Sequence, residues 1–464
     1  MKTLFGNFLL LLLTGTVPFI SCTKDSLITS PDALIGLSED TLHFDTVFTS
    51  AGSVTQSLKI FNLNDQTLRL SKIELMGGGS SPFSINVNGA QGESFSNIDI
   101  AANDSIYVFV SVHIDPNQQN MPFIVRDSIH ISYNGNDVFV QLDAYGRNAH
   151  FLKNVVVSHD SILAGELPFV VLGSLTVQAG VTLAINKGAQ IFCHQDAPII
   201  INGTLKVNGE KAPRSQVVFT NDRLDDPYKF FPGSWPGIVF SSSSIGNELN
   251  SAIIKNATQA LTVYGNGSFS TQLTLNACII SNNSLGGVKA VNSNVFAQNC
   301  LITNCGLNNV SLNAGIYNFI YCTVASYSYD LLYHEAPVLL ISDTISNSQT
   351  APLFARFTND IFYGESGLFN DEIELIQNGN SFDAGFDHVL YKAPGLDGSL
   401  FQNSIGGADP GFANIDTEHS LFDFHLQPGS ICIDAGKSLF VDTDLEGSPR
   451  NVGGGPDLGC YEFQ

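Results

Sequence analysis

Positive charge is the first thing this sequence is short of. Lys and Arg number 20 against 43 Asp and Glu, a formal net charge of −23. Neutralising a phosphate backbone takes clustered Lys and Arg, so the composition excludes a nucleic-acid partner and disfavours an anionic membrane surface. Charge of either sign is sparse: 14% of residues are charged and 44% hydrophobic, which excludes a disordered chain and allows two or three packed domains. Helical periodicity is missing beyond the first residues. Also missing are paired Cys-x-x-Cys spacings for structural zinc, a nucleophile elbow, a metal-protease helix motif and a phosphate-binding loop. What is abundant is β-forming: 42 Gly and 33 Phe accompany many Val, Ile, Ser, Thr and Asn.

The one long apolar run, Phe8 to Leu13 after Lys2, is too short to cross a bilayer as a stop-transfer helix and reads as a signal peptide over residues 1–21. It leads to Phe19-Ile20-Ser21-Cys22, which resembles the bacterial lipobox, with Phe19 where Leu is usual. The resemblance implies cleavage before Cys22 and lipidation of its sulfur, a durable membrane anchor once more than one acyl chain is buried. The other reading is an ordinary signal peptide with an incidental Cys. Thr23-Lys24-Asp25 resembles the tether of surface-exposed Bacteroidetes lipoproteins, although its single acid leaves the leaflet open. Seven further cysteines remain, an odd number that does not read as a disulfide framework.

Residues 22–37, with Pro31, read as a polar tether, and residues 38–148 as a sandwich. About seven short alternating stretches there are separated by turns such as Gly77-Gly78-Gly79 and Asn134-Gly135-Asn136. Phe44-Asp45-Thr46-Val47, Lys59-Ile60-Phe61-Asn62 and Val138-Phe139-Val140-Gln141-Leu142 resemble, in order, the ASH-type immunoglobulin-like sandwich, a spacer or adhesive module without catalytic residues.

Beyond Arg147 the rhythm shortens. Gly173-Ser174-Leu175-Thr176-Val177, Gly203-Thr204-Leu205-Lys206-Val207 and Trp235-Pro236-Gly237-Ile238 resemble bacterial β-helix proteins. The repeat Ala277-Cys278-Ile279-Ile280, Asn299-Cys300-Leu301-Ile302, Tyr321-Cys322-Thr323-Val324 advances in steps of 22, with a looser copy at Ser342-Asp343-Thr344-Ile345 a further 21 on. A period in the low twenties with short strands and Asn turns means one coil per repeat. The expected fold is therefore all-β: a right-handed parallel β-helix over 149–405, preceded by the immunoglobulin-like β-sandwich. Cys278, Cys300 and Cys322 would stack as a structural ladder, and Asn282 with Asn304 as an asparagine ladder.

Residues 406–464 read as a cap over the open end of the β-helix. Asp409-Pro410-Gly411-Phe412, Cys432-Ile433-Asp434-Ala435-Gly436 and Asp442-Thr443-Asp444-Leu445-Glu446-Gly447 resemble the C-terminal region of the "choice-of-anchor Q" β-helix group, which is specific to an architecture and not to a reaction. Two sharper expectations follow: Ca²⁺ on Asp442, Asp444 and Glu446, whose alternation falls short of an EF-hand, and a disulfide between Cys432 and Cys460.

Parallel β-helices include polysaccharide lyases and glycosidases, but the residues must carry the argument. Candidate catalytic acids are Asp225 with Asp226, Asp360, and Asp371 with Glu372; none repeats at coil spacing beside another, and each also reads as a solvated loop acid. His334-Glu335 and His194-x-Asp196 are two further pairs. Asp followed by Ser or Thr and an aliphatic residue recurs, placing Ser26, Thr41, Thr46, Ser105, Ser128, Ser161 and Thr344 in a pattern that resembles the Bacteroidetes O-glycosylation sequon; the same pattern also suits an Asp-capped strand start. Together these readings imply an outer-membrane lipoprotein of the cell envelope, displaying a β-helix that binds a polysaccharide or another envelope protein without catalysis. Exposed Asn, Ser and Tyr suit neutral sugars. The alternative is a polysaccharide lyase or glycoside hydrolase on the same scaffold.

Overall fold

The computed structural model describes residues 26–49, 55–115, 123–346, 349–365 and 369–464. Cys22 and the leader lie outside the described residues. No helix among the described residues is long and apolar enough to cross a membrane. The chain divides into two compact units.

The first unit is an immunoglobulin-like sandwich of two sheets. One orders Leu27–Ile28, Thr67–Leu75, Phe123–Tyr133, Asn136–Arg147 and Thr41–Phe48, with Ser94–Ile100 added beside Thr67–Leu75. The other orders Ile35–Leu37, Gln56–Asn62, Ser105–Val112, Phe83–Val87 and Ala90–Gly92. Alternation sets the faces: Ile106, Val108, Val110 and Val112 are buried while Tyr107 and Phe109 between them are exposed. Asn134 and Gly135 both take positive φ, 47° and 84°, and turn the chain in the two-residue hairpin that the sequence announced. The supposed tether is corrected here. Leu27–Ile28 pairs parallel with Thr67–Leu68, and Ile35–Leu37 pairs antiparallel with Ile60–Asn62, because their aliphatic side chains complete the two sheets. Asn134 and Asn136 then hold the connecting loop through the carbonyls of Ile28, Ser30 and Pro31.

The second unit is a parallel β-helix running from His150–Val157 to Ile405–Gly406. Register keeps like residues over like: Phe219, Ile254, Ile280, Ile302, Val324 and Phe362 follow one another in successive coils, each at most 1% exposed. Stacked strands lie roughly 4.8 Å apart, so an identical environment recurs at each rung and apolar side chains pack as columns. Toward the last coils the column is aromatic, with Phe357 and Phe386 stacked at 4.8 Å between ring centres and Phe386 and Phe401 at 4.7 Å. One bend repeats as strictly as the strands. Ser251, Ala277, Asn299, Tyr321, Asn359, His388 and Asn403 occupy one position in seven successive coils, all with φ between 46° and 60°. Only some of these are Asn, so the stack enforces a left-handed turn that the other residues would avoid alone.

The cysteine column lies one position after this bend. Cys278, Cys300 and Cys322 stack inside the core, fully buried, and burial pushes all three thiols up. The next rung is not Asp343. Strand Thr323–Ser326 pairs with Ile361–Gly364, which places Asp360 directly over Cys322. Two excursions, the loop after Ser326 and the hairpin of Thr344–Ser346 with Gln349–Thr350, lengthen this coil and displace the repeat. The asparagine ladder is also shifted: Nδ2 of Asn282 donates to Asn256 and Nδ2 of Asn256 to Asn221, both at 2.7 Å, whereas Oδ1 of Asn304 accepts from the Tyr327 amide.

Residues 406–464 correct another expectation. They form a plate on the side of the β-helix, not a lid on its end. Phe412, Phe424, Leu426, Leu445 and Leu458 pack on Leu301, Ala325, Ile361 and Leu390, which point outward from the coils. Polar ties run along several coils: Lys211 donates to Thr443, Asn299 to the Thr443 carbonyl, and the Gly459 amide to Asn359. The physical reason lies in strands such as Leu301–Cys305, buried along their whole length and apolar on both faces at Leu301 and Ile302, whose outer face needs cover. Cys432 and Cys460 share this plate core but are free thiols, so the expected disulfide is not formed.

Candidate functional site

Where the plate stops, part of the same outer face stays open as a groove of about 590 Å³. Alternation along three adjacent strands supplies its floor. Ile254, Ile280 and Ile302 point inward, so Lys255, Ser281 and Thr303 point outward in one column, and Ile279 and Leu301 form a second column beside it. Exposed Phe230, on the loop around Tyr228–Phe230, forms one wall. The other wall is the hairpin of Phe412–Asp416 with Leu421–Leu426, through Leu421, Phe422 and Phe424. Tyr329 and Leu331, from the excursion after Ser326, close one side.

Among the described residues lining this groove there is no Asp or Glu, in a chain with 43 of them. Lys229 is paired with Asp226 at 2.9 Å and His419 with Asp416 at 2.8 Å. The Lys255 ammonium has no carboxylate partner among the described residues, and desolvation lowers its pKa from the ordinary lysine value. The asparagines of the floor are largely spent on one another: Asn282 donates to Asn256 and to the Phe230 carbonyl, and accepts from the Tyr329 hydroxyl.

A second, more polar groove of about 430 Å³ lies beside the same hairpin, lined by Tyr327, Tyr363, Glu365, Asp409 and Gln427. Both Glu365 oxygens already accept from Ser328, one from its amide and one from its hydroxyl. The Asp409 carboxylate caps the Gly411 amide at 2.7 Å.

The nominated catalytic acids do not converge. Asp225 is gripped through two 2.7 Å bonds by Arg223, and Asp226 faces Lys229. Asp371 caps the Gly395 amide. Asp360 is fully buried; one oxygen accepts from the Cys322 amide at 2.5 Å, the other has no partner, and desolvation pushes its pKa well up. Glu372 is also fully buried, 2.9 Å from His334 Nε2, 3.2 Å from the Val338 amide and 3.6 Å from Lys392. His334 thus pairs with Glu372 and not with Glu335, and His194 pairs with Asp222 and not with Asp196. The buried His334–Glu372–Lys392 cluster pins the excursion after Ser326 to the coils, a role invisible in a sequence where its members lie 38 and 20 residues apart.

The calcium expectation fails on the donors. Oδ1 of Asp444 accepts from the amides of Glu446, Gly447 and Ser448, and Oδ2 from that of Glu462, which uses its lone pairs on backbone. No group of three or more His, Cys, Asp or Glu among the described residues is arranged to hold a metal. Of the sequon positions, Ser26 is exposed and Thr41, Thr46, Ser105, Ser128, Ser161 and Thr344 are half-buried. Asp45, Asp104 and Asp127 each accept from the amide that follows them, the strand-start cap.

No family model matches the chain, and no curated protein matches it. Three solved structures show limited likeness. A family 123 glycoside hydrolase from Clostridium perfringens is 10% identical over 27% of this chain and 31% of its own, with a TM-score of 0.19. An ASH/PapD-like domain of human CEP192 is 12% identical over 26% of this chain and 92% of its own, with a TM-score of 0.18. A protein of unknown function from Porphyromonas gingivalis W83 is 9% identical over 28% of this chain and 60% of its own, with a TM-score of 0.19.

Proposed function

We propose that this chain is a lipid-anchored protein of a Bacteroidetes envelope, held by a lipid on Cys22, whose β-helix binds a glycan in the lateral groove and does not cleave it. The sandwich acts as a spacer, and the C-terminal plate is the counterpart of the "choice-of-anchor Q" region. The observation that carries the reading is the groove itself: aromatic walls, a floor of hydroxyl and amide groups at strand spacing, and no carboxylate among its described lining residues. Glycosidic hydrolysis takes two carboxylates facing one bond. Those nominated from the sequence are buried, ion-paired or capping backbone elsewhere.

The test is a screen of the full chain against plant, host and bacterial polysaccharides, scoring binding together with release of reducing or unsaturated ends, with and without Ca²⁺. Binding without product is the expected result. One observation favours a hydrolase as second reading: Glu365 and Asp409 line the smaller groove with Tyr327 and Tyr363. Product release lost in both Glu365→Gln and Asp409→Asn would establish it. The anchor is tested separately, by acyl labelling of the wild-type chain against Cys22→Ala, which should lose the label and the membrane fraction.

A further inference from the structure

The amide oxygens on the groove floor are engaged, while two of its nitrogen donors are free. Oδ1 of Asn256 accepts from Asn282, Oδ1 of Asn282 from Tyr329, and Oδ1 of Asn304 from the Tyr327 amide. Nδ2 of Asn304 has no partner among the described residues, and neither does the ammonium of Lys255, two strands away along the same floor. Two rungs separate the backbones of Lys255 and Thr303, the neighbour of Asn304, by roughly 10 Å. A ligand that satisfies them must bring acceptors. A neutral sugar offers these donors hydroxyl and ring oxygens but no counter-charge for the ammonium. A half-buried ammonium without a counter-charge is itself costly, and an anion seated on it removes that cost.

We infer, on the footing of the glycan-binding reading above, that the groove is selective for an acidic oligosaccharide, with one sugar carboxylate seated on Lys255 and the chain running over Ser281 and Thr303 toward Asn304. This reverses the expectation that exposed Asn, Ser and Tyr favour neutral sugars, because Asn256, Asn282 and Tyr329 bind one another and the ammonium of Lys255 is left unpaired. The net charge of −23 does not oppose the site. Charges are screened over about 8 Å at physiological ionic strength, so the ligand feels the unpaired Lys255 more than the distant surface, while Lys229 and His419 are offset by Asp226 and Asp416. Phe230 and Phe422 on opposite walls supply faces for sugar rings to stack on.

The experiment is calorimetric titration of the full chain with a trisaccharide of galacturonic acid and with its methyl ester, which keeps the rings and removes the charge. The acid should bind about tenfold or more tightly than the ester, as one charge-assisted hydrogen bond commands, and should weaken with added salt. Lys255→Gln should make acid and ester equal without changing Tm, because the side chain points out of the core, and Lys255→Arg should restore the preference. Equal binding of acid and ester by the wild-type chain overturns the inference and leaves glycan binding standing. A Lys255→Gln chain that keeps the preference overturns the assignment to this groove. Failure of both trisaccharides and of every polysaccharide in the screen removes the glycan-binding reading itself.

Discussion

Arg450→Met should unfasten the C-terminal plate. The Arg450 side chain is fully buried, 3.3 Å from the Glu462 carboxylate, with Nη2 donating to Asn299 at 2.8 Å and to the Gly459 carbonyl at 3.0 Å. Its guanidinium lies 3.9 Å from the centre of the Tyr321 ring. Asn299 and Tyr321 are adjacent rungs of the left-handed bend, so one side chain bolts the plate to the coils. Methionine replaces much of the volume but leaves Glu462 without its counter-charge, and breaking a buried pair in this way costs about 3–5 kcal/mol. A long stacked chain need not unfold in one step, so the assay is native-state hydrogen exchange of the plate. The amides of Leu458 and Gly459, bonded to Cys432 and Asn359, should exchange faster by about two to three and a half powers of ten. The sign with pH follows from Glu462, whose pKa is raised by desolvation and held down in part by Arg450. A carboxyl raised above its unfolded value is favourable while protonated and turns costly as pH rises above the ordinary carboxylate range. The defect should therefore be larger at pH 8 than at pH 5, and the Glu462→Gln second change should recover part of it. A change below tenfold, or acceleration spread evenly over the coils, would refute the bolt.

Asp360→Asn should relieve the cost of a buried acid whose pKa desolvation has pushed well up; its gain over wild type should grow from pH 4 to pH 8 in denaturant titrations and vanish at the acid end. His334→Ala leaves Glu372 buried with only the Val338 amide and Lys392 beside it, and should destabilise the excursion after Ser326 by about 3–5 kcal/mol, read from local exchange, with Glu372→Gln as partial rescue. Phe357→Ala, in the middle of the aromatic column and 1% exposed, should cost about 3–5 kcal/mol and lower Tm in calorimetry.

How much of this was legible beforehand depends on distance along the chain. Cys278, Cys300 and Cys322 are spaced at one coil, so stacking follows from the period alone. The place of Asp360 above this column is hidden because two excursions stretch its coil, and Asp343-Thr344-Ile345 imitates the phrase at nearly the same spacing. The lateral plate does have a signal in the sequence: Leu301-Ile302 and Ile361-Phe362 are apolar at consecutive positions, and in a strand that means cover on both faces. Leu27-Ile28 and Ile35 to Leu37 sent the same message inside a segment read as tether. The groove is another matter. That Lys255 faces outward follows from alternation, but its lack of a counter-ion is settled by loops far away in sequence, around Phe230 and Leu421.

The most direct test of the central claim is hydrogen exchange of the full chain with and without a glycan that it binds, run beside an assay for released sugar ends. The account predicts protection confined to Lys255, the strands Ile279–Asn283 and Leu301–Cys305 and the hairpin around Leu421–Leu426, with no product formed. Protection that avoids this face, or cleavage of the bound glycan, would contradict it.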